Sequence, residues 1–230
     1  MLKYFKIFLI TLICCFSVHA QKSFDPLTAK TVNWGLNAGF NALNFTHYNA
    51  YQGETKLNNT SYTGKVGFSG GMFLRINLSN FFMQPEVGYS LTRERFSFAK
   101  INDLGNSLQQ TVVNADYHSL RLPVLAGYNI VKNSHYLFNC YLGPDFQYCY
   151  RSSFNLGGTP FKDKSPQFSI NGTIGLSLSI SHLFFDFRYG INRPNTDFNF
   201  GKVPDSPELL KDILVKKNEN ILSFSCGMIF

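Results

Sequence analysis

Residues 168–180 place Phe168, Ile170, Gly172, Ile174, Leu176, Leu178 and Ile180 at every second position, with Ser169, Asn171, Thr173, Gly175, Ser177 and Ser179 between them. A period of two sustained this long gathers the apolar set on one face of an extended chain, whereas on a helix it would be scattered around the axis. The segment is therefore a strand. Leu183, Phe185, Phe187, Tyr189 and Ile191 repeat the pattern, as do Leu222, Phe224, Cys226, Met228 and Phe230. Eight segments of this kind run along the chain, at 33–45, 65–78, 81–95, 113–131, 135–151, 167–180, 182–192 and 220–230. They outlast the roughly five or six residues usual in soluble sheets and reach the roughly nine to eleven that a tilted strand needs to cross a bilayer. Their connections alternate. Ser79-Asn80, Lys132-Asn133-Ser134 and Ser181-His182 are tight turns, while 46–64, 96–112, 152–166 and 193–219 are long. Short turns on one rim and long loops on the other predict an all-β, up-and-down, eight-stranded antiparallel transmembrane barrel, its short turns periplasmic and its long loops extracellular.

The second face of these strands decides what lies outside. A soluble, lipocalin-like barrel would turn its apolar face inward and coat the other with Lys and Glu. Here the other face is Gly, Ser, Asn, Thr and Gln, and only Lys65 among the lysines touches a segment. Small polar side chains suit the narrow interior of eight strands, so lipid is the outer solvent. Only 15% of the 230 residues are charged and 44% are hydrophobic, with 24 Phe and 12 Tyr, which excludes a disordered chain. No apolar run is long enough for a spanning helix. The formal net charge of +7 includes Lys3 and Lys6 and is otherwise spread over loops, so no nucleic-acid partner is expected.

Those two lysines open a leader. Ile7–Val18 is an apolar stretch of signal-peptide length, and Val18-His19-Ala20 puts small residues at the −3 and −1 positions of a cleavage site before Gln21. Residues 1–20 read as a signal peptide and 21–230 as one outer-membrane barrel domain. Of the cysteines beyond the leader, Cys140 and Cys149 lie on opposite parities of one strand, about 30 Å apart along it, and Cys226 is alone. All three read as packing residues.

Turn positions also set which side chains meet in the lumen. Folding about Asn133 puts Arg121 directly opposite Asp145. Folding about Ser79-Asn80 puts Arg75 opposite Gln84 and diagonal to Glu86. Folding about Ser181-His182 puts Ser177 opposite Asp186 and Gly175 opposite Arg188. Arg75, Glu86, Arg121, Asp145, Asp186 and Arg188 thus form a candidate polar network, and Glu94 and Arg151 share the inward parity near the outer rim. Buried charges must be paired or hydrogen-bonded, so a plug closing a monomeric barrel is expected, with a conducting or proton-relaying lumen as the alternative. Pro85, Pro123 and Pro144 fall inside strands and delete ladder donors, so bulges or broken hydrogen bonds are expected there.

A search for catalysis yields little. His118-Ser119, Ser134-His135 and Ser181-His182 are adjacent, and strand neighbours point to opposite faces. No G-x-S-x-G, H-E-x-x-H, phosphate-binding glycine loop or Cys/His metal spacing occurs. No enzyme, cofactor or metal site is expected. In the last long loop, Ser206-Pro207-Glu208 reads as a helix start. Leu209, Leu210, Ile213 and Leu214 recur at helical spacing, predicting a surface helix over 207–217 that packs on loops or docks a partner. The terminal Phe230, with apolar residues at alternate positions before it, reads as an assembly signal.

The segments 34–39, 82–90, 120–128 (Leu-Arg-Leu-Pro-Val-Leu-Ala-Gly-Tyr), 142–144 (Leu-Gly-Pro) and 185–190 (Phe-Asp-Phe-Arg-Tyr-Gly), together with Phe230, resemble the PorT-like outer-membrane β-barrel family of Bacteroidetes. The resemblance covers nearly the whole mature chain, and the three prolines stand where that family tends to have them. It implies an eight-stranded outer-membrane barrel, inserted by the barrel-assembly machinery through its C-terminal aromatic. The family's namesake serves type IX secretion and gliding motility; the fold carries over and that role does not. The function expected is structural, accessory or surface-binding, through extracellular loops, with lipopolysaccharide, other outer-membrane lipid or envelope proteins as partners. The alternatives are a subunit of a secretion or gliding machine and a lipid A-modifying hydrolase.

Overall fold

The computed structural model describes residues 30–57, 60–101, 107–133, 136–163, 167–191, 198–203, 207 and 210–230. The expected leader lies outside them. Eight long strands carry the fold: β1 (Val32–Gln52), β2 (Ser61–Leu78), β3 (Phe81–Ile101), β4 (Ser107–Lys132), β5 (Tyr136–Leu156), β6 (Gln167–Ile180), β7 (Leu183–Ile191) and β8 (Ile213–Ile229). Each pairs antiparallel with the next, and β8 returns to β1 from Gly35↔Ile229 to Gln52↔Ile213, closing the ring. Short pieces extend it at one end: Thr55–Lys56 on β1, Thr159–Asp163 on β5 and Phe198–Asn199 on β8.

Burial follows the alternation with the soluble rule inverted. Leu142 is 65% and Phe168 64% exposed, whereas Asn139 and Ser119 are fully buried. On β6 every even residue from Phe168 to Ile180 faces outward and the odd residues from Asn171 to Ser179 are buried. Side chains on a strand alternate sides, so one sequence pattern makes both the lipid-facing coat and the polar lumen.

The strands run further than expected, because the barrel continues above the belt with its chemistry reversed. There Phe96 and Phe98 of β3, Val113 and Ala115 of β4, Phe154 of β5 and Ile213 and Val215 of β8 point inward. They bury Phe161, Phe200 and Leu210 from the connecting segments, and the Phe154 ring stacks on Phe161 at 5.2 Å between centroids. Outside them stand Arg93, Arg95, Asp116 and Asn114. On β3, β4 and β8 the reversal is written in the sequence, as apolar residues change parity. On β1, β2 and β5 a bulge makes it: between Asn44 and His47, between Lys65 and Phe68, and at Tyr150. One extra residue shifts the phase, so even-numbered apolar side chains that face lipid below, such as Phe146, face the core above, as Phe154 does.

Several expectations need correction. Across β4 and β5, Arg121 pairs with Gln147 and Asp145 with Pro123, two residues from the expected opposition. The Asn133 N–H donates to Tyr136 O (2.9 Å), which centres the turn later than Asn133 and offsets the first pairs by three residues, and a bulge between Asn129 and Val131 takes one of them back. Of the bulges or broken hydrogen bonds expected at the prolines, the structure has the broken hydrogen bonds. The ladder loses its rungs at Pro85 opposite Leu74, at Pro123 opposite Glu86 and at Pro144 opposite Val124, and resumes in the same register. The helix over 207–217 is absent: Leu210 ends a turn on Pro207 O (2.8 Å), and Ile213 and Leu214 begin β8. Pairing of Ile213 with Gln52 and Leu214 with Tyr51 overrides the local helical spacing. Leu210 and Ile213 are buried in the upper core, Leu214 is half-buried, and Leu209 is outside the described residues. The other registers match: Leu78↔Phe81 continues to Phe73↔Glu86, and Ile180↔Leu183 to Gly175↔Arg188.

Candidate functional site

The inward face of the strands, read upward from the tight turns, has four levels. At the bottom, Phe73, Phe184 and Ile229 pack together, as do Phe82, Leu125 and Tyr141. The ion cluster lies above them, then a band of Ser, Asn and Thr, then the apolar upper core.

Arg188 of β7 centres the cluster. Its guanidinium forks across the lumen onto Glu86 of β3, with Nη1 donating to Oε2 (2.7 Å) and Nη2 to Oε1 (2.8 Å), while Nε donates to Asp186. Paired bonds of this kind combine charge with fixed geometry. The Tyr141 hydroxyl of β5 also donates to Asp186. Gln84 joins the other side, giving Nε2–H to Glu86 Oε1 (2.7 Å) and accepting from Arg75 Nε (2.6 Å). Arg75 is buried and lies 4.5 Å over the Phe82 ring. Arg121 and Asp145 form a second pair, Nε donating to Oδ2 at 2.8 Å. Although not opposite, they meet on the diagonal, because the register slips by a whole period and keeps both side chains inside. Three guanidinium groups thus balance three carboxylates. Uncharged side chains pair around the cluster, Gln147 to Ser119 (3.0 Å), Asn171 to Gln147 (3.2 Å), Ser177 to Asn139 (2.8 Å) and Asn41 to Ser90 (3.1 Å).

Between these groups lies a cavity of about 30 Å³, bordered by Glu86, Arg121 and Arg188, and one of about 10 Å³ beside Asp145, Asn171 and Thr173. A water molecule needs about 10–15 Å³ of such volume, so the larger space holds two or three waters and the smaller at most one, set among the paired charges. Asp145 Oδ1, Asn171 Oδ1 and Thr173 Oγ1, which have no protein partner, border the smaller one. Steady conductance is therefore not expected: planar-bilayer recordings on the purified protein should stay at baseline, and a stable ohmic step would overturn the closed lumen.

Of the remaining candidates, Glu94 is buried and inward. Arg151 is on the outer wall, because the extra residue Tyr150 reverses its parity. Sequence reasoning missed Tyr141, whose inward parity was available, and Gln84 as the link between Arg75 and Glu86. Ser119 is buried in the lumen, while His118 on the outer wall bonds Tyr89 through Nδ1 (2.6 Å). Ser134 and His135 are outside the described residues. Ser181 and His182 do meet, Oγ to Nδ1 at 3.1 Å, because they sit in a turn where Ser181 takes φ 54 and strand alternation does not apply. His182 is exposed at the rim and Ser181 half-buried, the imidazole 6.5 Å from the Phe230 ring. Cys140, Cys149 and Cys226 are free, and among the described residues no cluster of His, Cys, Asp and Glu could hold a metal.

Residues 19–192 match a family model described as an outer membrane protein beta-barrel domain. Among curated proteins no sequence matches the chain. Among solved structures, OprG of Pseudomonas aeruginosa is similar at 14% identity and a TM-score of 0.51, covering 87% of this chain and 97% of that one. Ail, the attachment invasion locus protein of Yersinia pestis, gives 13%, 0.42, 87% and 100%. Neisserial surface protein A gives 18%, 0.39, 87% and 96%. At these identities the likeness is one of fold.

Proposed function

Because the chain belongs to the outer membrane protein beta-barrel domain family, we propose that it is a closed anchor whose work is done by the part above the lipid. The charged cluster in the lumen carries this reading: the Arg188 guanidinium reaches from β7 to Glu86 of β3 and holds Asp186, which supports a closed axis with the upper storey as the surface free to act. That storey has a core of its own, which supports a preformed platform for surface binding or a structural role, directed to the cell exterior by the loop rule for such barrels. The leader at 1–20 and the terminal Phe230, read by the barrel-assembly machinery, bring it there. The motifs at 120–128 and 185–190 support a PorT-like kinship.

The test is topological. Gly157 and Gly158, at positive φ in the turn leading into Thr159–Asp163, tolerate an inserted epitope. On intact cells the epitope should bind antibody; labelling only after permeabilisation would reverse the orientation. Co-purification from native membranes then separates the roles. Stoichiometric envelope proteins would assign a machine subunit, and altered lipid A in a deletion strain would assign a hydrolase.

A further inference from the structure

On β2, β3 and β5 the outer wall passes from hydrocarbon to cation at one level, and on β4 to His118 and Asp116. The apolar run on β3 spans Phe81 to Leu91, on β4 Ile130 to Leu120 and on β2 Leu78 to Val66. At about 3.3 Å per residue and a tilt of about 40°, ten residues rise about 25 Å, the height of the lipid-facing band of such barrels. The next outward positions are Arg93 on β3 and Lys65 on β2, with Arg95 one step higher and Arg151 beside His118 on β5. These cations stand where lipid tails give way to headgroups.

They also converge. Lys65 Nζ and Arg95 Nε both donate to Asn114 Oδ1, at 2.9 and 3.0 Å. Arg93 lies over the Phe68 ring, 5.6 Å from its centroid, and reaches Asp116 only at 3.9 Å. Among the described residues no carboxylate lies within ion-pair distance of Lys65, Arg95 or Arg151. Four cations face one carboxylate. Tyr89, Tyr148 and Tyr150 are exposed just below, presenting the amphipathic rings expected at an interface.

We propose that this wall binds the phosphate groups of lipid A, the phosphorylated glycolipid anchor of lipopolysaccharide, with Arg93, Arg151, Lys65 and Arg95 as ligands. Guanidinium forks match phosphate oxygens in pairs, and at a dry boundary an anion is what offsets unpaired cations. A soluble protein partner would have to reach into the headgroup layer, where a lipid phosphate is already positioned. The assignment rests on the outward orientation proposed above.

The experiment uses the full-length folded protein in detergent micelles, titrated with lipid A and with lipid A stripped of its phosphates, binding being read by native mass spectrometry. Lipid A should bind at least tenfold more tightly than the stripped form. R93Q/R151Q should lose about tenfold in affinity for lipid A, and K30Q/K132Q, which removes as much charge at the turn end, should lose none. Heat-modifiable gel mobility checks that each variant folds; if R93Q/R151Q does not, R95Q and R151Q carry the test singly, each with about a threefold loss. Equal affinity for both lipids, or an unchanged R93Q/R151Q, overturns the proposal. Glucosamine phosphate binding as tightly as lipid A would make this a free-anion site and overturn the lipid assignment. Micelles impose no orientation, so lost binding with a surface-labelled epitope condemns the patch alone. Intact binding with an unlabelled epitope condemns the orientation alone.

Discussion

Arg188→Met should destabilise the barrel by about 3–5 kcal/mol, the usual cost of removing one partner from a buried pair. Glu86 receives both its strong bonds from this guanidinium and Asp186 receives one, so the variant leaves two buried carboxylates without their charged donor. Arg75 does not replace it, since its Nε is engaged by Gln84 and its plane lies over Phe82. Arg188→Lys should recover little, because an ammonium cannot fork onto Glu86 and reach Asp186 as well. The triple variant E86Q/D186N/R188M should recover most of the loss, since the buried charge disappears with its partner. Urea titration of the protein in liposomes, following the heat-modifiable band, measures all three. A loss under about 1 kcal/mol for Arg188→Met would mean that the cluster is solvated and the plug loose.

Deleting Phe230 should lower the folded fraction in outer-membrane fractions several-fold more than Phe40→Ala does. Phe40 is 55% exposed on the lipid face, so truncating it removes only part of the roughly 1.5–3 kcal/mol available from a buried Phe. Phe230 does more. Its N–H donates to Trp34 O (2.8 Å) and its carbonyl accepts from Trp34 N (3.2 Å), the terminal rungs of the seam between β8 and β1. Its ring stacks on Trp34 at 4.5 Å. The deletion removes both rungs, the stack and the edge that the insertion machinery can pair with by strand addition. An unpaired edge cannot persist in lipid, so an incomplete seam is an insertion defect. Equal losses for the two variants would reduce Phe230 to one aromatic among the others of the rim.

The β6–β7 hairpin was fully legible, because thirteen alternating residues and a two-residue turn leave one register that keeps Ser177 and Asp186 inside together. The lumen charges were legible for the same reason: parity survives a register error of two, so Arg121 and Asp145 still meet. A shift of one residue defeats this reasoning. On β5 the even positions stay apolar from Phe146 through Phe154, which reads as one face, and nothing in the composition announces that Tyr150 is extra. Sequence parity therefore places Arg151 in the lumen, and the segments of the upper storey read as loops. The failed helix has a different origin. Leu210 and Ile213 stand at helical spacing only because a turn runs straight into a strand, and the contact that decides between the two, with Gln52 of β1, is distant in sequence.

Reversal of the wall at one level also fixes how deep the molecule floats. If the barrel sank by one residue pair, Arg93 and Arg151 would enter hydrocarbon; if it rose, Leu91 and Leu120 would enter water. Tilting would do both, on opposite sides. A single helix can lean to fit a thicker bilayer, but a ring with the same waterline on several strands has no such freedom. The lipid must stretch or thin to meet it, at a cost of a fraction of a kcal/mol per Å of mismatch. Neighbours with a waterline of the same height would share that deformation, so the belt favours their company before any loop makes contact.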